Sequence, residues 1–226
     1  MRVPARGAIA VLVVAVLATG VVFGPGALRR VAFFRVRQVE VMGARYLDEV
    51  EVARRLGLRS DASTFDRLAG VRVAAAAIPG VLSVSVERRL PGTLRVTIRE
   101  ATPVALADQA DRLVLIDSNG RALPFDPTRV PASLPIAVKD AAVATLLARM
   151  MRTDLSLYGS IDAARLDRGD VLLEIGARHI RLRPQADAAV LYAVSAVMTY
   201  LNKSAIAWRE IDARYHRRVF VQKGTA

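Results

Sequence analysis

The sequence predicts an α+β protein in which an N-terminal transmembrane helix precedes a β-α-α-β-β domain and then a mixed α/β domain with a largely antiparallel sheet. Three observations indicate this class. A long apolar run without charged residues stands near the N-terminus, short alternating stretches typical of half-buried strands recur along the chain, and amphipathic helical stripes lie between them. The length of 226 residues suits two small domains plus an N-terminal segment.

The N-terminal segment divides at its charged residues. Residues 1–7, with Arg2 and Arg6, are predicted to form a cytoplasmic tail, and residues 8–28 a transmembrane signal anchor. A cleaved signal peptide is the rival interpretation, with Ala18-Thr19-Gly20 as the cleavage site. An uncleaved anchor is favoured because Ala-Thr-Gly is a weak cleavage site, and under either interpretation the remainder of the chain is exported.

The first domain is predicted at residues 34–102. Alternation over residues 36–41 indicates its first strand, and two further strands are predicted at 81–88 and 93–99, joined by Leu90-Pro91-Gly92. Between them, Asp48 as N-cap, Glu51 three residues later and Gly57 as a stop delimit one helix. A second helix is predicted from near Thr64 to the Ala77 region, where Pro79-Gly80 ends it.

The second domain is predicted at residues 103–226. Stretches 113–117 and 121–124 flank Ser118-Asn119-Gly120, a strong hairpin signal in which Asp117 supplies turn chemistry and not a catalytic acid. An amphipathic helix is predicted from the spacing of Val143, Leu146, Leu147 and Met150.

Three short strands are then predicted at 161–166, 171–175 and 179–182. Arg168-Gly169-Asp170 between the first two indicates a turn and not an adhesion motif. A second helix is predicted to begin at Pro184, with Val190, Val194, Val197, Met198 and Leu201 as its core stripe. Two extended stretches, 207–215 and 217–222, end the domain.

Catalytic and metal chemistry are not expected. Cysteine is absent, and the two histidines, His179 and His216, lack the spacing of a metal motif. No phosphate-binding loop or nucleophile elbow is present. The net charge of +12, from 33 Lys+Arg against 21 Asp+Glu, is dispersed along the chain, so it indicates a solvated surface and not a nucleic-acid site. We therefore expect no enzyme activity, cofactor or metal.

The last predicted strand has two interpretations that the residues leave open. A terminal strand at a sheet edge exposes unpaired backbone groups, and Arg217, Arg218 and Lys223 can blunt that edge against aggregation. Alternatively, the edge accepts a partner strand by β-augmentation.

Several stretches carry a resemblance to a known family. Residues 34–43 (FRVRQVEVMG), 78–94 (IPGVLSVSVERRLPGTL) and 100–105 (EATPVA) resemble a POTRA domain. Together with the predicted anchor, with residues 114–117 and Gly120, and with residues 211–215 (IDARY), they are similar to the FtsQ/DivIB family of bacterial cell-division proteins. Ala101, where the family often has a basic residue, and the short N-terminal tail depart from the pattern.

This resemblance implies a divisome scaffold with no small-molecule substrate and no nucleic-acid partner. It implies a single-pass protein of the inner membrane, mostly periplasmic and located at the septum, whose C-terminal strands recruit FtsB paired with FtsL and whose POTRA domain contacts other divisome proteins. In the implied site Arg214 bonds to an acidic partner segment and Tyr215 is an aromatic anchor. The set of implied partner-binding residues is Arg214, Tyr215, Arg217, Val219, Phe220 and Val221.

Two other functions are alternatives to the scaffold role. One is a POTRA-bearing component of outer-membrane protein assembly or secretion. The other is an enzyme of cell-wall metabolism, which an assay on peptidoglycan would distinguish from a scaffold.

Overall fold

The computed structural model describes residues 28–29, 31–110, 112–130, 133–215 and 217–224. Within those ranges no helix has both the length and the apolar character needed to cross a membrane. The predicted tail at 1–7 lies outside the described residues, as does the predicted anchor except for Leu28. The chain divides into two compact units between Glu100 and Ala101.

The first unit has the β-α-α-β-β order that the sequence predicts. Its strands form a three-stranded sheet in the order β1-β3-β2, with β1 parallel and β2 antiparallel to β3. One face of the sheet is covered by the two helices, and the shared core contains Val41, Val52, Leu94 and Val96. Its elements are β1 (Gln38–Met42), α1 (Glu49–Arg55), α2 (Ala69–Ala76), β2 (Val81–Arg89) and β3 (Thr93–Glu100), after a short 3-10 turn at Ala32–Phe34.

Helix α1 begins and ends at the residues that its local signals indicate. The Asp48 carboxylate accepts a hydrogen bond from the Glu51 backbone N–H at 3.0 Å, and Gly57 takes a φ of +61° just beyond the helix. Helix α2 begins later than predicted, at Ala69 and not near Thr64. The Thr64 hydroxyl is buried 3.1 Å from the carbonyl oxygens of both Phe34 and Pro91, so these tertiary contacts hold it outside the helix.

The end of β3 organises the loop that follows β1. The two carboxylate oxygens of Glu100 accept three backbone N–H groups, those of Arg45, Tyr46 and Leu47, each at 2.9 Å. Gly43 begins this loop with a φ of +81°, in the left-handed region that favours glycine. These three N–H groups lie outside the helices and strands, and the Glu100 carboxylate is their hydrogen-bond acceptor.

The second unit is built on a nine-stranded mixed sheet. The strand order is β12-β11-β10-β9-β8-β7-β4-β5-β6, and the pairs β10–β11, β7–β8 and β4–β7 are parallel while the others are antiparallel. Its elements are β4 (Ala105–Gln109), β5 (Arg112–Ile116), β6 (Ala122–Leu123), β7 (Ile136–Ala137), α3 (Ala141–Thr153), α4 (Leu155–Gly159), β8 (Ala163–Asp167), β9 (Asp170–Ile175), β10 (Arg178–Leu182), α5 (Ala188–Lys203), β11 (Trp208–Tyr215) and β12 (Arg218–Lys223), with a 3-10 turn at Pro127–Arg129.

Most of the predicted helical and turn features of this unit are confirmed. The predicted stripe of α3 is fully buried, and that of α5 packs on the same core. The Asp117 carboxylate accepts the N–H groups of Asn119 and Arg121 inside the predicted hairpin, as turn chemistry requires.

One helix boundary in this unit differs from the prediction, and three elements were not predicted. Helix α5 begins at Ala188, because the Asp187 carboxylate caps it by accepting the Val190 N–H, so its predicted start at Pro184 is wrong. Strands β4 and β7 and helix α4 were not predicted. Since β7 has only two residues, it carries too short a pattern to identify.

Candidate functional site

Strand β12 lies at one end of the nine-stranded sheet. It pairs with β11 on one side, and among the described residues no strand pairs with its other side. The backbone N–H and C=O groups along that side are the kind of template to which another chain can add a strand. The residues left open whether this terminal strand is an edge blunted by charge or one that accepts a partner strand, and the strand order shows that β12 does lie at an edge.

The side chains of β12 alternate between the core and the solvent. Val219 and Val221 are half-buried against the core of the second unit. Phe220 points the other way and lies opposite Asp212 in the register with β11. Of the hydrophobic residues predicted to bind a partner on this strand, Phe220 therefore presents its side chain to solvent, while the two valines mainly hold the strand on the domain.

Tyr215 and Phe220 form an exposed aromatic pair beside the free edge. Their ring centroids lie 5.1 Å apart at an interplanar angle of 81°, an edge-to-face arrangement. Tyr215 is 48% and Phe220 51% exposed. A register shift between Asp212 and Tyr215 and a positive φ of 56° at Arg217 shape the connection between the strands. This pair offers apolar area that the domain itself does not bury.

Arg214 is engaged within its own domain. Its Nε and Nη2 donate to the two Asp212 carboxylate oxygens at 2.9 and 2.6 Å, and its Nη1 donates to Asp170 at 2.8 Å. These bonds raise the pKa of Arg214 above its ordinary value, and the bonds from Arg214 lower the pKa of Asp212. The guanidinium carbon also lies 5.7 Å from the centroid of the Tyr215 ring. Arg214 thus links β11 to β9 and borders the aromatic pair.

A second arginine extends this ion-pair network across the sheet. Arg181 on β10 donates to Asp167 at 2.6 Å and to Glu210 at 3.2 Å. The hydrogen bond from Arg181 is the main reason why the pKa of Asp167 lies below its ordinary value. Four strands, β8 to β11, are therefore connected through alternating charges on the face that bears Phe220. Sequence reasoning missed this network. Both arginines lie in stretches predicted to be strands, but Asp167 and Asp170 lie outside them, at the predicted turn between two strands.

The two arginines of the β11–β12 turn differ from Arg214. Arg217 and Arg218 are exposed, and neither forms an ion pair with another described residue. Uncommitted guanidinium groups at a strand edge are available to a carboxylate of another chain. Of the predicted site residues, Arg217 therefore presents free positive charge, whereas the charge of Arg214 is already neutralised by carboxylates of its own chain.

An open groove runs between helix α5 and the start of β12. Its volume is about 460 Å³, and its walls are mainly apolar. The groove is continuous with the aromatic pair because Tyr215 lines it. The lining residues are Asp187, Ala189, Val190, Ala193, Ala213, Tyr215, Arg217, Arg218 and Val219.

Metal ligation is not suggested anywhere in the described ranges, where no three His, Asp or Glu side chains are placed to hold an ion. His179 lies on β10, and His216 is outside the described residues. The candidate site in the structure consists of a strand edge, an aromatic pair, two exposed arginines and a groove. Such an arrangement can bind an extended segment of a protein.

The comparison with family models locates its match in the first unit. Residues 34–101 match the family model described as the POTRA domain, FtsQ-type. The chain is 39% identical over 90 residues to the cell division protein FtsQ of Novosphingobium aromaticivorans, a match that covers 39% of this chain and 28% of the relative. It is 31% identical over 113 residues to FtsQ of Caulobacter vibrioides, which covers 49% of this chain and 37% of the relative. The chain thus matches about a third of the length of these curated relatives.

Among solved structures, the chain is also similar to one of a cell-division protein. That structure is the major extracytoplasmic domain of the trans isomer of the cell division protein DivIB from Geobacillus stearothermophilus. The superposition has a TM-score of 0.35 at 18% sequence identity and covers 46% of this chain and 96% of that one.

Proposed function

We propose that this chain, whose first unit matches the FtsQ-type POTRA model and which is similar to curated FtsQ proteins, is a member of the FtsQ/DivIB family and a membrane-anchored scaffold of bacterial cell division. In this proposal residues 8–28 anchor the chain in the inner membrane, residues 34–102 form the POTRA domain, and residues 103–226 form the partner-binding domain. The FtsQ type of the matched POTRA model favours this role over outer-membrane assembly or secretion.

The partner site is proposed at the free edge of β12. The single observation that carries this proposal is that β12 ends the sheet order with the exposed Tyr215–Phe220 pair beside its unpaired side. In the family that this chain resembles, the C-terminal strands take up FtsB, which is paired with FtsL. We propose the same mode here: a segment of the partner adds a strand to β12, and backbone hydrogen bonds supply affinity while side chains supply selectivity.

The site residues have different proposed roles. Tyr215 and Phe220 are the aromatic anchors, because burying two half-exposed rings removes a large apolar area from water. Arg217 and Arg218 meet acidic side chains of the partner. Val219 and Val221 keep β12 seated on the core. Arg214 acts on the partner mainly by positioning, since its guanidinium already binds Asp212 and Asp170.

The aromatic part of the site is tested with the full chain and the periplasmic part of the FtsB-type partner. Tyr215→Ala/Phe220→Ala is expected to weaken capture at least about 30-fold, the effect typical of a binding hot spot. Tyr200→Ala is the matched control, because Tyr200 is 63% exposed on α5 and outside the proposed site. Equal affinity of the double variant and the control would contradict the proposed anchors.

Strand addition is tested by a backbone change. Tyr215→Ala combined with Val219→Pro removes an anchor and a strand N–H, so capture is expected to be lost. The fluorescence of the single tryptophan, Trp208, which is buried on β11 next to this strand, checks that the domain is still folded. Undiminished capture by the folded variant would exclude augmentation at β12. In cells, the division role predicts a midcell signal from a fluorescent fusion and filamentous growth on depletion, whereas normal division on depletion would overturn it.

A further inference from the structure

We propose that one end of the first unit, the basic pole, rests on anionic phospholipid headgroups. The basic pole consists of residues 31–37 and 88–92. This inference concerns a different surface from the β12 edge and assigns a lipid contact to a part of the protein outside the proposed partner site.

Hydrogen bonds join the two segments of the basic pole. The Arg37 N–H donates to the Gly92 carbonyl at 2.8 Å, and the Thr64 hydroxyl lies 3.1 Å from the carbonyl oxygens of both Phe34 and Pro91. Nε of Arg88 donates to the Thr64 carbonyl at 2.6 Å. The segments 31–37 and 88–92, which are distant in sequence, thus form one surface with a fixed shape.

Apolar side chains project from this surface into solvent. Phe33 is 60% exposed, Leu90 58% and Val31 43%. The Phe33 ring packs edge-to-face against that of Phe34 at a centroid distance of 5.2 Å, and this contact helps to fix its orientation. Exposed aromatic and aliphatic groups beside arginines are the composition of surfaces that insert shallowly at the boundary between headgroups and acyl chains.

The charge of the pole is mainly positive. The two segments contain Arg35, Arg37, Arg88 and Arg89 and no acidic residue. The acidic groups nearby are Glu87, which lies 3.8 Å from Arg89, and Asp61, whose pKa is lowered by the hydrogen bond from Arg59 and also by the charge of Arg35. Arg35 and Arg37 are exposed, and no ion pair with a described residue engages either of them. Each arginine near an anionic bilayer favours binding by about fivefold. This pole therefore combines charge attraction with apolar contact, and that combination fits a lipid surface better than it fits an acidic peptide alone.

The position of the pole along the chain favours the same occupant. The apolar run ends at Leu28, five residues before Phe33, and five extended residues span at most about 17 Å. A chain anchored through that run, as proposed above, therefore keeps the pole close to the bilayer. The short connection allows the pole to contact the bilayer, and the exposed arginines and apolar side chains make that contact favourable.

The test uses labels on the full chain, which has no cysteine of its own. An environment-sensitive fluorophore is attached at Leu90→Cys or, as control, at Val50→Cys, which is 68% exposed near the start of α1. Strand β3 runs from the pole to Glu100, which binds the segment before α1, so about 23 Å of strand separates the pole from the region of the control position. The protein is placed in lipid discs of phosphatidylcholine, with or without phosphatidylglycerol, that carry a headgroup-bound quencher.

Quenching is expected at position 90 but not at position 50, and to increase when phosphatidylglycerol is present. Arg35→Gln/Arg37→Gln should weaken this docking about 25-fold, at about fivefold for each arginine. Arg45→Gln/Arg72→Gln removes the same charge from exposed positions elsewhere on the unit and should have little effect.

Two results would overturn the proposal: equal quenching at the two positions, or quenching at position 90 that phosphatidylglycerol and the pole arginines do not change. Protection of position 90 from an aqueous quencher without headgroup quenching would assign the pole to a protein contact instead. Failure of the chain to insert into the bilayer would count against the proposed anchor alone. Docking by the pole still predicts stronger quenching at position 90 than at position 50 when the protein is mixed with phosphatidylglycerol vesicles.

Discussion

Replacing Arg214 by alanine measures how strongly the ion-pair network holds the end of the sheet. The change leaves the Asp212 and Asp170 carboxylates without the guanidinium to which they now bind at 2.6 to 2.9 Å. The three side chains are 18–29% exposed, so the cost should lie between that of a surface pair, below about 1 kcal/mol, and that of breaking a buried pair, about 3–5 kcal/mol. We expect the free energy of unfolding of the second unit to fall by about 2–3 kcal/mol.

The assay is urea denaturation followed by the fluorescence of Trp208, since the single tryptophan reports on the second unit alone. With an m-value of about 1–3 kcal/mol per molar urea, the midpoint should fall by roughly 0.7–3 M. Arg218→Ala is the control. Its exposed guanidinium forms no ion pair with a described residue, and we expect a change within about 0.5 kcal/mol.

The dependence on pH supplies the sharper test. Arg214 lowers the pKa of Asp212 in the folded state, so the stability gained from this pairing is present above the unfolded pKa of about 3.9. It is lost as the pH falls through the lower, folded value. The difference between wild type and Arg214→Ala should therefore be constant near neutral pH and shrink on acidification below about pH 4. A difference under about 0.5 kcal/mol at neutral pH, or one independent of acidification, would refute the reasoning.

Three further predictions concern stability. Glu100→Ala orphans three backbone donors and should cost the first unit about 2–4 kcal/mol, with Glu100→Gln costing less; circular dichroism during denaturation measures both. Gly43→Ala should cost more than about 2 kcal/mol, because φ is +81° and a Cβ would lie 2.2 Å from the Ile98 carbonyl oxygen; an unchanged melting curve would contradict this. Burial raises the pKa of Tyr158 to about 12, so the stability tied to its neutral form is complete below about pH 10 and lost as the pH rises from there to about 12. Tyr158→Phe removes the hydrogen bond from the Tyr158 hydroxyl to the Val104 carbonyl and should lower the free energy of unfolding by about 1 kcal/mol at neutral pH. Between about pH 10 and about pH 12 the stability of this variant, followed by tryptophan fluorescence, should fall less than that of the wild type.

Local chemistry explains which parts of the fold could be predicted. Asp48, Glu51 and Gly57 delimit α1 because caps act over three or four residues, and Asn119-Gly120 forms the predicted turn for the same reason. The starts of α2 and α5 could not be predicted as well. Thr64 is held outside its helix by carbonyl oxygens from 27 and 30 residues away, and these contacts outweigh helix propensity.

In the candidate site, too, the features set by neighbouring residues could be predicted and those set by distant contacts could not. The sequence indicated an alternating C-terminal strand and, through resemblance, the residues Arg214 to Val221 as a partner surface. It did not indicate that Arg214 would bind Asp170, which is 44 residues away, or that Tyr215 and Phe220 would form one exposed pair. Those relations depend on a register shift in β11 and on which strands become neighbours.

By itself the sequence determined the fold class and the order of most of the elements, because periodicity, caps and turn residues are read within a few positions of the chain, and the type of the first domain was indicated by resemblance. Only the tertiary structure decided that β12 ends the sheet, that Val219 and Val221 face the core while Phe220 faces solvent, and that Phe33 and Leu90 share one exposed pole. The physical reason is that strand order and exposure are set by contacts between residues far apart in sequence, and the local pattern of a strand is the same whether or not another strand lies beside it.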